Sequence, residues 1–155
     1  KEGLLMRASA TVLSNNILMR GKADEIKITQ MKLQKLLYYV CVKYVQEVGH
    51  LPISEHFEVW QYGPVLASVY AEFKPFGSSP ITKYALNAKG KARIVDEEHN
   101  PVLSSCIDYV WRKFRRYGGI ELSERTHRKG SGWYTAFQRG DDAISTEDMR
   151  NDATI

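Results

Sequence analysis

The sequence predicts an α+β fold: a single, predominantly α-helical domain with a small β-hairpin. Two stretches, 29–48 and 101–117, show the apolar spacing of long amphipathic helices. A turn-forming sequence at 87–90, flanked by short β-branched and aromatic runs, predicts the hairpin. With 155 residues the chain can build one core without a metal or a disulfide, and it contains no linker-like tract that would divide it.

The helix predicted over 29–48 is the centre of the core. Its apolar residues recur at alternating steps of three and one, so they share one helix face. Thr29 can cap its start, and Gly49 followed by Pro52 ends it. Lys35 lies opposite the apolar face and Tyr39 lies beside it. We therefore expect both side chains to be exposed.

The second long helix is predicted over 101–117. Asn100 is placed to cap it, Pro101 takes the tolerated first position, and Gly118 with Gly119 ends it. Four cations lie in its last turns, where the helix dipole favours positive charge: Arg112, Lys113, Arg115 and Arg116.

Shorter helices are predicted at 8–19, 64–73, 123–128, 133–137 and 146–151. Ser123 is placed to cap the third of these, and Ser145 with Asp148 forms a capping-box pattern at the last. Between 75 and 98 the pattern changes to short strands around the 87–90 turn, which is where we expect the hairpin.

The aromatic stretch FEVWQYGPV, residues 57–65, precedes the helix predicted at 64–73. Gly63 permits a turn, and Pro64 suits the first helical position. If the residues before the turn form a regular strand, Trp60 and Tyr62 share one face. Such a pair can be core or a binding anchor, and the sequence leaves both open.

Composition favours a cytoplasmic globular protein. Cys41 and Cys106 fall on apolar helix faces, which favours buried, reduced thiols. No apolar run approaches the roughly 20 residues that a membrane span needs, and no secretory signal pattern is present. We expect Met6 to be the native start, residues 1–5 to be an added or upstream stretch, and the domain to cover 6–152.

Enzyme signatures are absent from the sequence: it has no phosphate-binding glycine loop, no zinc-protease motif and no cysteine pair at metal spacing. We expect no cofactor and no metal. The alternative is a hydrolase or transferase site around Thr126, His127 and Trp133. The interpretation we favour is that Thr126 and His127 satisfy backbone groups while Trp133 packs beneath them.

Basic residues concentrate between positions 112 and 129. Seven cations stand there against Glu121 and Glu124, which gives a local charge of +5. Such a field attracts acidic partners, including RNA or DNA, although capping of a helix end explains part of it. Nucleic-acid binding is therefore an alternative, not the leading hypothesis.

Three blocks of the sequence together resemble the Panacea domain, the antitoxin module of many bacterial and phage toxin–antitoxin pairs. The blocks are ITQMKLQKLLYY at 28–39, FEVWQYGPV at 57–65 with 69–73, and LSERTH at 122–127 followed by Trp133. Two departures from the family pattern stand out. Val59 replaces the usual Ala, and residues 128–132 are basic and Gly-rich where the family often has an acidic residue and a Pro.

The resemblance implies a non-catalytic antitoxin that neutralises a toxic enzyme, encoded next to it, by direct binding. An alternative within the family is an adaptor that delivers the toxin to an ATP-dependent protease. Neither a membrane nor nucleic acid is the expected partner. We predict a toxin-binding surface from the three blocks, made by Lys35, Tyr39, Trp60, Tyr62, Pro64, Thr126 and His127.

Overall fold

The computed structural model describes residues 7–155 and confirms the mainly helical α+β fold. The expected start at Met6 and the stretch 1–5 lie outside these residues. Seven helices and a two-stranded antiparallel sheet follow in the order α1 (Ala10–Asp24), α2 (Gln30–Val48), β1 (Glu58–Trp60), β2 (Gly63–Val65), α3 (Ala67–Phe73), α4 (Pro101–Phe114), α5 (Gly119–Thr126), α6 (Gly132–Arg139) and α7 (Thr146–Arg150). A short 3-10 turn at Lys74–Phe76 extends α3.

Helix α2 is the axis on which the domain is built. The Thr29 hydroxyl accepts the Lys32 N–H at its start, and Gly49, with φ 98°, ends it as predicted. Helices α1, α4, α5 and α7 and strand β2 all pack against it. Because these neighbours cover residues 32–42 on every side, polar residues outside the apolar stripe are buried there too. The expected exposure of Lys35 and Tyr39 is therefore wrong: they are 2% and 0% exposed.

Gly118 and Gly119, which were predicted to end the helix before them, instead begin the next one. Helix α4 already ends at Phe114, and α5 starts at Gly119, with the Glu121 carboxylate accepting the Gly118 N–H at 2.8 Å. Ser123, predicted as a cap, consequently lies inside α5. Asn100 makes no cap through its side chain and donates to the Asp96 carbonyl instead.

The hairpin is present but not where the sequence placed it. Its strands are Glu58–Trp60 and Gly63–Val65, so Pro64 belongs to β2 and not to the first turn of a helix. The predicted segment, 75–98, contains a turn closed by an isolated bridge between Leu86 and Ala92. The prediction followed β-branched residues and turn signals, whereas the strand at 58–60 is fixed by contacts distant in sequence.

Two buried asparagines of α1 hold the 75–98 segment. Asn15 donates to the carbonyls of Ala85 and Arg93 at 3.0 and 2.8 Å and accepts the Ala85 N–H at 2.8 Å. Asn16 accepts the Val95 N–H at 2.8 Å and donates to the Val95 carbonyl at 3.0 Å. Each side-chain amide thus takes the hydrogen bonds that a neighbouring strand would otherwise make.

The two cysteines are buried, reduced thiols, as the sequence predicted. Cys41 and Cys106 are free and buried, in α2 and α4. Burial raises the pKa of both thiols, that of Cys106 to about 11. They therefore behave as small core residues and not as nucleophiles.

Candidate functional site

The connection between β1 and β2 is fixed by side chains from three helices. The indole N–H of Trp133 donates to the Trp60 carbonyl at 2.9 Å, and the Ser123 hydroxyl donates to the Tyr62 carbonyl at 2.7 Å. The Lys35 ammonium donates to the Pro64 carbonyl at 2.9 Å, and Nε2 of His127 lies 2.7 Å from the Gln61 carbonyl. We call residues 60–64, held by these four contacts, the pinned turn.

Gly63 is required at the centre of the pinned turn. Its φ of 116° lies in a region that side chains of L-amino acids rarely adopt. A Cβ at this position would lie 2.7 Å from Oγ1 of Thr126 and 2.9 Å from Cε of Lys35. The backbone therefore approaches α2 and α5 as closely as a glycine allows.

His127 and Thr126 support the turn from the end of α5. Nδ1 of His127 lies 2.6 Å from the Ser123 carbonyl, and the Thr126 hydroxyl donates to the same carbonyl at 2.7 Å. The Trp133 ring packs on the imidazole with centroids 4.1 Å apart. Because both ring nitrogens face carbonyl oxygens, His127 has no free nitrogen to act as a base. This agrees with the favoured sequence interpretation, in which Thr126 and His127 satisfy backbone groups and Trp133 packs beneath them.

Gln61 and Tyr62 are the exposed residues of the pinned turn. Tyr62 is 58% exposed at its tip. Trp60 is partly buried, with its ring 5.0 Å from that of Tyr70 and its N–H donating to the Glu58 carboxylate at 2.8 Å. A rigid backbone therefore presents one free tyrosine beside one held tryptophan.

A groove of about 840 Å³, which we call the turn groove, lies beside this aromatic pair. Its walls come from the pinned turn, the end of α3 and the start of α5, and the start of α2 contributes the remaining surface. Its lining residues include Gln30, Met31, Gln34, Lys35, Trp60, Gln61, Tyr62, Val65, Tyr70, Lys74, Gly118, Gly119, Ile120 and Glu121. Ile120 is 72% exposed and adds apolar surface at the rim.

Lys35 is the electrostatic anomaly of the site. Burial lowers the pKa of its ammonium group from the ordinary 10.5 to about 7. The bond to the Pro64 carbonyl is the one hydrogen bond that its ammonium makes among the described residues, and none of their carboxylates pairs with it. A buried charge without a counterion is costly, and such groups are concentrated at functional sites.

Six of the seven predicted site residues meet around the pinned turn; Tyr39 does not. Its hydroxyl hydrogen-bonds Thr154 at 2.8 Å, and its ring stacks on Phe114 with centroids 4.9 Å apart. Neighbouring Tyr38 donates to the Asp152 carboxylate at 2.6 Å. Both tyrosines therefore secure the end of the chain to α2.

Sequence reasoning missed the role of two donors, Ser123 and Trp133, which hold the turn. Ser123 and His127 are four residues apart and so share one helix face, which was a usable signal. The contact of Trp133 with the Trp60 carbonyl had none, because 73 residues separate the partners.

Two further features of the described residues bear on function. Asp96, Glu98 and His99 form the group of three side chains close enough to share a metal ion, and all three are exposed, as acidic surface groups commonly are without one. Across residues 7–155, every helix is too short or too polar to cross a bilayer.

The fold and the site define a small helical domain that displays a rigid aromatic turn beside a groove. The chain belongs to the family described as "Antitoxin SocA-like, Panacea domain", whose family model matches residues 33–134. It is similar to the Antitoxin SocA of Caulobacter vibrioides (strain NA1000 / CB15N), with 28% identity over 127 residues, covering 80% of this chain and 68% of that protein. No solved structure matches the chain.

Membership of this family confirms the resemblance inferred from the three sequence blocks, and it supports an antitoxin role. An antitoxin implies a cognate toxin as its partner. The family match covers all three blocks from Leu33 onward, including the pinned turn and its donors.

Proposed function

We propose that this protein is an antitoxin that neutralises a toxic enzyme by binding it directly, without catalysis of its own. The toxin would contact the pinned turn and the turn groove. The domain responsible would extend over residues 6–152.

The observation that supports this proposal best is the rigidity of a turn whose tip is an exposed tyrosine. Four carbonyls of residues 60–64 receive side-chain contacts, so little backbone entropy remains to be lost when a partner binds. Aromatic residues held on rigid backbone are typical anchors of protein interfaces. Within residues 7–155 the Tyr62 side chain makes no hydrogen bond and no ring contact, and it is 58% exposed.

The first experiment is co-expression with the protein encoded beside it. We expect that protein to arrest growth alone, growth to be restored by co-expression, and the two proteins to co-purify. If the neighbour is harmless alone or fails to co-purify, the proposal is wrong.

The second experiment locates the contact. Tyr62→Ala should weaken toxin binding at least tenfold, since truncating an interface anchor costs about 2 kcal/mol or more. Its melting temperature should stay near that of the wild type, because the side chain is exposed. Tyr109→Ala is the matched control, because Tyr109 is 41% exposed on α4 and does not line the turn groove. If both variants bind the toxin with equal affinity, the toxin interface does not include Tyr62.

The adaptor alternative is favoured by one observation, a second groove of about 820 Å³ between the end of α1 and residues 79–84. It shares no lining residue with the turn groove. An adaptor must hold a toxin and a protease at separate surfaces, and two grooves allow this. Toxin that disappears in cells with an ATP-dependent protease and persists in cells lacking it would support delivery, whereas equal toxin levels would exclude it.

A further inference from the structure

Lys35 is buried, and none of the carboxylates of the described residues pairs with it. Its ammonium group makes one hydrogen bond, to Pro64, while an ammonium offers three donors. A buried charge that lacks an oppositely charged partner is strongly destabilising. The presence of this lysine in the wall of the groove therefore suggests a partner that supplies the missing negative charge.

The turn groove has three further sources of positive potential: the Lys74 side chain, which lines it, and the N-terminal ends of two helices. Residues from the first turns of α2 and of α5 line it, and the N-terminal end of a helix carries about half a positive elementary charge. The first turn of α2 contains no acidic residue. In α5, Glu121 offsets part of the effect through its hydrogen bond to the Gly118 N–H.

The rest of the groove is suited to apolar contact. Trp60, Tyr62 and Tyr70 provide aromatic surface, and the volume is that of a site for a few side chains, not for a whole domain. The combination of one unpaired buried cation and an aromatic wall defines the chemistry of its ligand.

We propose that the turn groove binds a segment of the toxin in which an aspartate or glutamate carboxylate pairs with Lys35 while a neighbouring apolar side chain packs on Trp60 and Tyr62. This inference rests on the proposed function. It goes further by naming the charge and polarity of the toxin segment.

Proton linkage gives the proposal a distinctive signature. In the free protein Lys35 loses its proton above about pH 7, whereas a bound carboxylate would keep it protonated. The complex would then take up a proton as it forms at alkaline pH, and affinity would fall as the pH rises. From pH 6.5 to 8.5 the dissociation constant should increase about twentyfold.

The test is calorimetric titration of the antitoxin with the protein encoded by the neighbouring gene, at pH 6.5, 7.5 and 8.5. Repeating each titration in two buffers with different ionisation heats counts the protons taken up. We expect uptake approaching one proton at pH 8.5 for the wild type. Lys35→Met should bind more weakly at pH 6.5 and lose both the uptake and the pH dependence. Lys89→Met, which removes a charge from an exposed loop, should behave as the wild type does.

Each outcome decides a different question. Wild-type binding without proton uptake, or Lys35→Met binding that equals the wild type at every pH, would overturn the inference and leave the proposed function intact. A neighbour that does not bind the wild type at all would refute the proposed function itself. If Lys35→Met fails to fold, single Asp→Asn and Glu→Gln replacements in the toxin decide the matter, because one of them should abolish the proton uptake.

Discussion

Replacing Lys35 by methionine should remove a pH dependence from the stability of the free protein. The folded-state pKa of Lys35 is about 7, against an ordinary value of 10.5. Between these values the unfolded chain holds more protons at this position than the folded protein does. The free energy of unfolding of the wild type therefore rises as the pH rises through this window, and the penalty is largest below pH 7.

The size of the effect follows from the pKa difference. One pKa unit corresponds to about 1.4 kcal/mol, so the protonated, buried ammonium lowers stability by on the order of 4–5 kcal/mol. Between pH 6 and pH 8.5 the wild type should regain about 2 kcal/mol of this. The methionine variant loses the hydrogen bond to the Pro64 carbonyl, about 1 kcal/mol or somewhat more, at every pH.

The assay is urea unfolding of both proteins at pH 6, 7, 7.75 and 8.5, followed by far-UV circular dichroism. The two thiols and the other titrating groups are common to both proteins, so the difference between the curves isolates Lys35. We expect that difference to change by about 2 kcal/mol in favour of the wild type as the pH rises. Parallel curves would refute the reasoning and show that Lys35 is not desolvated in solution.

Three other predictions concern the fold. Gly63→Ala should lower the free energy of unfolding in urea by on the order of 3 kcal/mol, because strain at positive φ adds to close contacts with neighbouring side chains. Gly90→Ala is the control: its φ is 73° but the space around it is open, so it should cost about 1 kcal/mol. Equal costs would contradict the close approach of Gly63 to α2 and α5. Tyr39→Ala should lower stability by about 3–5 kcal/mol and Tyr39→Phe by about 1 kcal/mol, and a fully stable Tyr39→Ala would show that the ring is not core. Cys41 and Cys106 should react with a thiol reagent at pH 7.5 only after unfolding, and rapid reaction of the native protein would show that they are accessible.

The parts of the fold that the sequence predicted well are local. Helix α2 and its caps depend on side chains within a few residues of one another, as does the capping box of Ser145 and Asp148. In both cases periodicity and cap chemistry suffice because the hydrogen-bonding partners are neighbours in sequence.

The parts that it missed depend on distant partners. The burial of Lys35 and Tyr39 results from elements that cover α2 from its polar side, and one helix's periodicity cannot reveal them. The position of the hairpin was missed for the same reason, since the donors that hold residues 60–64 lie before residue 36 and after residue 122. Six of the seven predicted site residues nevertheless lie close together, because β2 packs against both α2 and α5.

The attachment of the 75–98 segment to two adjacent asparagines has a consequence for engineering. Asn15 and Asn16 hold this stretch at Ala85, Arg93 and Val95, and residues 86–92, between the first two of these points, are all exposed. A fluorophore-bearing or affinity-tag peptide inserted between Lys89 and Gly90 would leave the hydrogen bonds at all three points in place. These bonds are made by side chains of α1 and not by a continuous ladder of backbone hydrogen bonds. The domain thus offers a labelling position whose sequence and length are uncoupled from its core.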